Sequence, residues 1–88
     1  MGEEKFREIC INLVNTYLYE TDTPEASTCD VYVVWMCKTL QNNKALLSTD
    51  IDGDTRYYEI TYNGDKKEFY FDCYIKQENR CVPLEDLV

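Results

Sequence analysis

Histidine is absent from the chain, so neither a Ser–His–Asp nor a Cys–His pair can be assembled within it, and no imidazole can complete a zinc site. The five cysteines, Cys10, Cys29, Cys37, Cys73 and Cys81, are odd in number, and no two stand in C-x-x-C spacing. Zinc knuckles need that spacing to present thiolates tetrahedrally, so the cysteines read as reduced and structural, as expected in a reducing cytoplasm. Glycine is scarce: three isolated residues cannot build a loop that cradles phosphate. With only two prolines and 44% hydrophobic residues, the composition is that of a globule rather than a disordered or collagen-like chain. No apolar run approaches the roughly 18 to 20 residues of a membrane-spanning helix. The opening Met-Gly-Glu-Glu-Lys is acidic and then amphipathic, which does not read as a secretory signal. At 88 residues the chain is expected to be a single domain, 1–88.

Acids outnumber bases 17 to 9, a net charge of -8, which disfavours unspecific attraction to nucleic acid or anionic membrane. The excess is concentrated early: residues 1–30 hold seven acids and two bases. Glu3, Glu4, Glu8, Glu20 and Asp22 make an acidic surface that either keeps a helix face in water or docks on a basic protein groove.

Phe6, Ile9, Cys10, Leu13, Val14, Tyr17 and Leu18 recur at three and four residues, which predicts an amphipathic helix over about residues 3–19. Residues 20–30 are polar, contain Pro24 and read as a loop. From Val31 the period changes to two. Strands are expected at Val31–Thr39, Lys44–Ile51, Arg56–Tyr62 and Glu68–Lys76, with turns at Gln41-Asn42-Asn43, Asp52-Gly53 and Asn63-Gly64. The result is an α+β fold, one helix on a four-stranded antiparallel meander over 31–76, with a tail at 77–88 that docks on the body or forms a short helix.

Two-residue turns at Asp52-Gly53 and Asn63-Gly64 place Leu47 opposite Tyr58, Tyr58 opposite Phe69 and Tyr57 opposite Tyr70. One face then collects Ala45, Leu47, Ile51, Tyr58, Ile60, Tyr62, Phe69, Phe71, Cys73 and Ile75, joined by Val31, Val33, Trp35 and Cys37, and is expected to meet the helix. The other carries Tyr32, Val34, Met36, Leu46, Tyr57, Tyr70 and Tyr74 among Lys38, Ser48, Glu59, Glu68, Asp72 and Lys76. A sheet covered on one side normally turns a more polar side to water, so Tyr32, Met36, Leu46, Tyr57, Tyr70 and Tyr74 are the candidate interface. Strand propensity of tyrosine, or cover by the tail, would explain the same pattern without function.

Ser48 to Glu59 places acids at positions three, five and seven, Gly53 at six and an acid at twelve of a calcium-loop pattern, making Asp50, Asp52, Asp54 and Glu59 a weak candidate cation loop. Ser48 at position one, Thr55 at position eight and strand-like flanks weigh against it. Glu59 and Glu68 form no obvious acid–base pair with Lys66 and Lys76 nearby. Tyr57, Tyr70 and Tyr74 among Lys38, Arg56, Lys66 and Lys76 imitate a single-strand-binding platform, which Glu59, Glu68 and Asp72 interrupt.

Three segments, DVYVVWMCKTLQNNKALLST (Asp30–Thr49), YYEITYNGDKKEFYFDCY (Tyr57–Tyr74) and QENRCV (Gln77–Val82), resemble a family of small uncharacterised proteins encoded by phages and prophages of Gram-positive bacteria. That family has no assigned activity, so the resemblance brings no functional residues. It implies a setting, the cytoplasm of an infected bacterial host. There a short accessory protein is expected to act by binding a host or defence protein, or a second copy of itself. No enzyme activity, cofactor or membrane contact is expected. A single-stranded nucleic-acid binder is the alternative reading.

Overall fold

A computed structural model describes all residues, 1–88. Helix α1 spans Glu3–Glu20 and is followed by strands β1 (Val31–Thr39), β2 (Asn42–Thr49), β3 (Arg56–Asn63) and β4 (Glu68–Ile75), then a 3-10 turn at Leu84–Asp86. The sheet is an antiparallel meander in the order β1-β2-β3-β4. It is the expected α+β architecture. No helix is long and apolar enough to cross a membrane.

The helix begins without a side-chain cap at Gly2, and Glu3 and Glu4 in its first turn favour the positive end of the dipole. Its end is a Schellman motif. Thr23 N–H donates to the Leu18 carbonyl at 3.0 Å and Asp22 N–H to the Tyr19 carbonyl at 3.2 Å, with Asp22 in the left-handed position usually taken by glycine (φ 53°). Phe6, Cys10, Val14 and Leu18, four residues apart, form the fully buried stripe. They pack on Ala45, Leu47, Tyr58 and Ile60 of β2 and β3, while Phe69 stacks near Phe6 and Tyr17 lies over Phe71 at 5.1 Å between ring centroids. Burial pushes the Cys10 thiol up to about 12, so it serves as a small hydrophobe.

All three turns differ from the sequence expectation. The β1–β2 hairpin turns on Leu40-Gln41 rather than Gln41-Asn42-Asn43, with Leu40 at φ 56°. Asn42 and Asn43 thereby enter β2. Between β2 and β3, Asp54 N–H donates to the Ile51 carbonyl at 3.2 Å, and only Gly53 of the two central residues has positive φ (76°). That is type II geometry, not type I′, inside a loop running from Asp50 to Thr55. Leu47 does sit opposite Tyr58.

The β3–β4 loop holds four residues, Gly64 to Lys67, because the Asn63 side-chain oxygen accepts from the Asp65 and Lys66 amides at 3.1 and 3.2 Å and winds the chain inward. Tyr58 therefore pairs with Cys73 and Tyr57 with Tyr74, four positions from the expected partners Phe69 and Tyr70. An even shift preserves the faces, so the core assignment along these strands survives it.

The tail forms its short 3-10 turn but does not dock: residues 76–88 are all exposed. Ile75, expected in the core, is 67% exposed, since it lies four residues past Phe71, which already meets the last turn of α1. Ile51 is half-buried in the loop and outside the core cluster. The body is a slab, 18 Å in its thinnest dimension, with helix on one side of the sheet and nothing on the other.

Candidate functional site

The open face of the sheet takes its composition from one irregularity in β1. Val33 pairs with Leu47 but Trp35 with Leu46, so Val34 and Trp35 together oppose a single residue of β2. This β-bulge exchanges the two sides of the strand beyond it. Met36 pairs with Ala45 and packs against the core, which removes it from the candidate interface. Trp35 and Cys37, expected beneath the helix, lie with Leu46 and Lys44 on the open face, and Lys38 moves to the helix side opposite Asn43.

Tyr32, Val34, Trp35, Tyr70 and Tyr74 are each between 41% and 52% exposed there, and Leu46 and Tyr57 are half-buried among them. Tyr57 and Tyr74 stack across β3 and β4 with centroids 5.1 Å apart and planes 16° from parallel, where Tyr57 and Tyr70 were the expected pair. Tyr70 instead faces Thr61 and donates its hydroxyl proton to the Glu68 carboxylate at 2.8 Å, a bond that raises its pKa. The charge of Asp72, then that of Glu59, does the same for Tyr74.

At the end of this face nearest the β2–β3 loop lies a groove of about 530 Å³. Tyr32, Val34, Leu46 and Tyr57 supply its apolar wall; Ser48, Thr55, Arg56 and Lys76 stand at its polar rim with Asp54. Asp54 is held tightly, its side chain 6% exposed. Its carboxylate accepts from the Arg56 amide at 3.0 Å, from Arg56 Nε at 2.9 Å and from Thr49 Oγ1 at 3.0 Å. Burial by itself raises the Asp54 pKa, but these bonds and the guanidinium charge outweigh it and hold the group below its ordinary value.

The candidate cation loop is not assembled. Asp54 is turned inward to Arg56, Asp50 accepts from the Asp30 amide at 2.8 Å, and Glu59 pairs with Lys44 at 3.1 Å across the open face. The hydrogen bonds that close the loop have drawn the carboxylates apart, and no three acids or thiols group as metal ligands. The acidic residues Glu3, Glu4, Glu8, Glu20 and Asp22 are all exposed on α1 and just beyond it, in the layer opposite the open face. All five cysteines are free; Cys37 and Cys81 are exposed.

Sequence reasoning placed Val34 on this face and Arg56 beside its tyrosines but missed Trp35 and the rim residue Thr55. The unbroken apolar run Val33-Val34-Trp35-Met36 carries the signal of a bulge, since strict alternation cannot bury one side of it cleanly.

Residues 4–84 match a family of unknown function, DUF6275. The chain belongs to this family. The match runs from the first turn of α1 to the start of the 3-10 turn, so the DUF6275 unit contains the helix, the whole sheet and both faces. No curated protein and no solved structure matches the chain.

Proposed function

We propose that this DUF6275 protein is a protein-binding module without catalytic chemistry of its own, and that it works through the open face of its sheet. One observation carries the reading: Tyr32, Val34, Trp35, Leu46, Tyr57 and Tyr74 share the one side of the sheet that the helix does not cover, around a concave groove. Aromatic side chains there offer large contact area at small entropic cost. The face is also nearly neutral on a strongly acidic chain. Lys44, Arg56 and Lys76 stand against Asp54, Glu59, Glu68 and Asp72, so most of the net charge of -8 lies elsewhere. The phage and prophage setting that the sequence resembles makes a host or defence protein of the infected bacterium one partner class, and self-association the other.

The test is Tyr57→Lys combined with Tyr74→Lys. Both rings stand on the open face and stack on each other, so the variant keeps its far-UV circular dichroism while dimerisation and partner capture are lost. A folded variant that binds as the parent does ends the proposal. Single-strand binding has less support: Lys44 and Arg56 are already engaged by Glu59 and Asp54, which leaves Lys76 as the free cation of the groove. A gel shift at low salt separates the two readings.

A further inference from the structure

Two apolar surfaces of this chain have no cover. One is the open face. The other is the segment from Gln77 onward, in which Val82, Leu84 and Leu87 are 53%, 71% and 68% exposed and Glu85 and Asp86 sit between the leucines. Residues 76–88 are all exposed, in a molecule whose radius of gyration is 15.2 Å, against about 12 Å for a compact chain of this length. The segment leaves the sheet at Lys76, on the rim of the groove.

We propose that the open face pairs with the open face of a second copy of this chain, and that the Val82–Leu87 segment of each copy lies in the groove of the other. This rests on reading the open face as a binding surface.

Area favours it. The exposed fractions of Tyr32, Trp35, Tyr70 and Tyr74, at about 200 Å² per ring, with Val34 and the partly covered Leu46 and Tyr57, give roughly 450 to 500 Å² of apolar face. A stable interface of roughly 800 Å² per partner is a little over half apolar, so the face alone supplies about that apolar share. The three apolar side chains of the segment and the stems beside them add about 300 Å². The face can therefore sustain the pairing, and the segment enlarges it.

Charge favours it too. A two-fold interface meets its own surface, so it must carry both signs in balance, and this face does. The groove contributes the free cation Lys76 at its rim; the segment brings Glu85 and Asp86 beside its leucines. Pairing through this side also leaves the acidic helix layers outermost. Two 18 Å slabs back to back hold those layers well beyond a Debye length of about 8 to 10 Å. Reach is sufficient: the eight residues from Gln77 to Leu84 span about 26 Å when extended, more than the roughly 19 Å width of a four-stranded sheet.

Sedimentation equilibrium on the purified full chain, up to about 100 µM, tests the proposal alongside emission from Trp35, the one tryptophan, which stands on the open face. The expected mass is twice the 10.4 kDa of the chain, with Trp35 emission moving to shorter wavelength as the dimer forms. Tyr57→Lys, and separately Leu84→Asp with Leu87→Asp, should each weaken association by at least about tenfold while circular dichroism stays that of the folded chain. The segment variant touches no buried residue, so its folding is secure. A monomer at all concentrations overturns the pairing and leaves the open face as a surface for another protein. A dimer indifferent to the segment variant overturns the exchange of segments. A dimer indifferent to folded Tyr57→Lys overturns the pairing, since the copies then meet elsewhere, and leaves the open face as a surface for another protein.

Discussion

Asp54→Asn separates two uses of the acidic loop before β3. In the structure Asp54 is a buried acceptor for Thr49 and for both the backbone and side chain of Arg56. Replacing it with a neutral amide breaks one side of a mostly buried ion pair and leaves the Arg56 guanidinium, 24% exposed, without its counter-charge. Full burial would make that loss about 3 to 5 kcal/mol; the partial opening of Arg56 brings the expectation to about 2 to 3 kcal/mol. For a domain of this size that corresponds to a fall in Tm of roughly 10 to 20 °C. The pH dependence follows from the lowered pKa of Asp54. A carboxyl that holds its proton less firmly when folded stabilises the fold fully above its unfolded pKa, near about 4, and loses that contribution as pH falls through the folded value. The gap between parent and variant in urea unfolding should therefore be wide at neutral pH and should narrow below about pH 4. A cation loop behaves the other way. Removing one acid from a cluster of unpaired carboxylates raises Tm in the absence of calcium and abolishes a calcium-dependent rise. Either of those results for Asp54→Asn would refute the ion-pair reading.

Asp22→Gly should stabilise the fold by about 1 kcal/mol, because it relieves a left-handed aspartate at the C-terminus of α1 and removes an anion from the negative end of the dipole; a loss in thermal melting contradicts the Schellman assignment. Gly64→Ala should cost at least about 2 kcal/mol, because a Cβ there collides with the Gln41 backbone carbonyl, and a neutral result in urea unfolding would show that the two loops do not meet. Trp35→Lys should be tolerated and Met36→Lys should cost about 1 to 2 kcal/mol in urea unfolding, since the bulge puts the first on the open face and the second, half-buried, against the core; the reverse order refutes the bulge.

The helix, the four strands and most of the core were legible because each rests on a periodicity that the buried side enforces. Phe6, Cys10, Val14 and Leu18 show the helical period, and Ala45, Leu47, Tyr58 and Ile60 the strand period. Turn geometry was less legible for a physical reason. Leu40 and Lys67 occupy left-handed conformations that their side chains disfavour, so the residues that advertise turns, Asn42, Asn43 and Asn63, were given roles that their neighbours fill. The error at Asn63-Gly64 shifted the register by four and harmed nothing downstream, whereas the bulge at Val34 shifted it by one and exchanged Trp35 for Met36 on the open face. Gly64 is glycine because the Gln41 carbonyl crowds it, a contact between loops that no local pattern announces. The fate of Asp54 likewise depended on Thr49 lying within reach across the loop.

The bulge also bears on why this sheet can tolerate an apolar open side. A regular β1 would place Trp35 beneath α1 and leave Met36 outside, giving the open face a flexible thioether instead of a rigid indole. Moving Trp35 outward lets Met36, the more adaptable side chain, fill the space over Ala45, and it sets the largest ring of the chain beside Leu46 and the groove. A bulge also increases local twist and breaks the flat edge of β1, which discourages open-ended pairing of sheets edge to edge. The same irregularity therefore enriches the face and restrains the edge. In the pairing proposed above, association would run through a closed contact on one side of the sheet, with the acidic helices left outward to keep successive pairs apart.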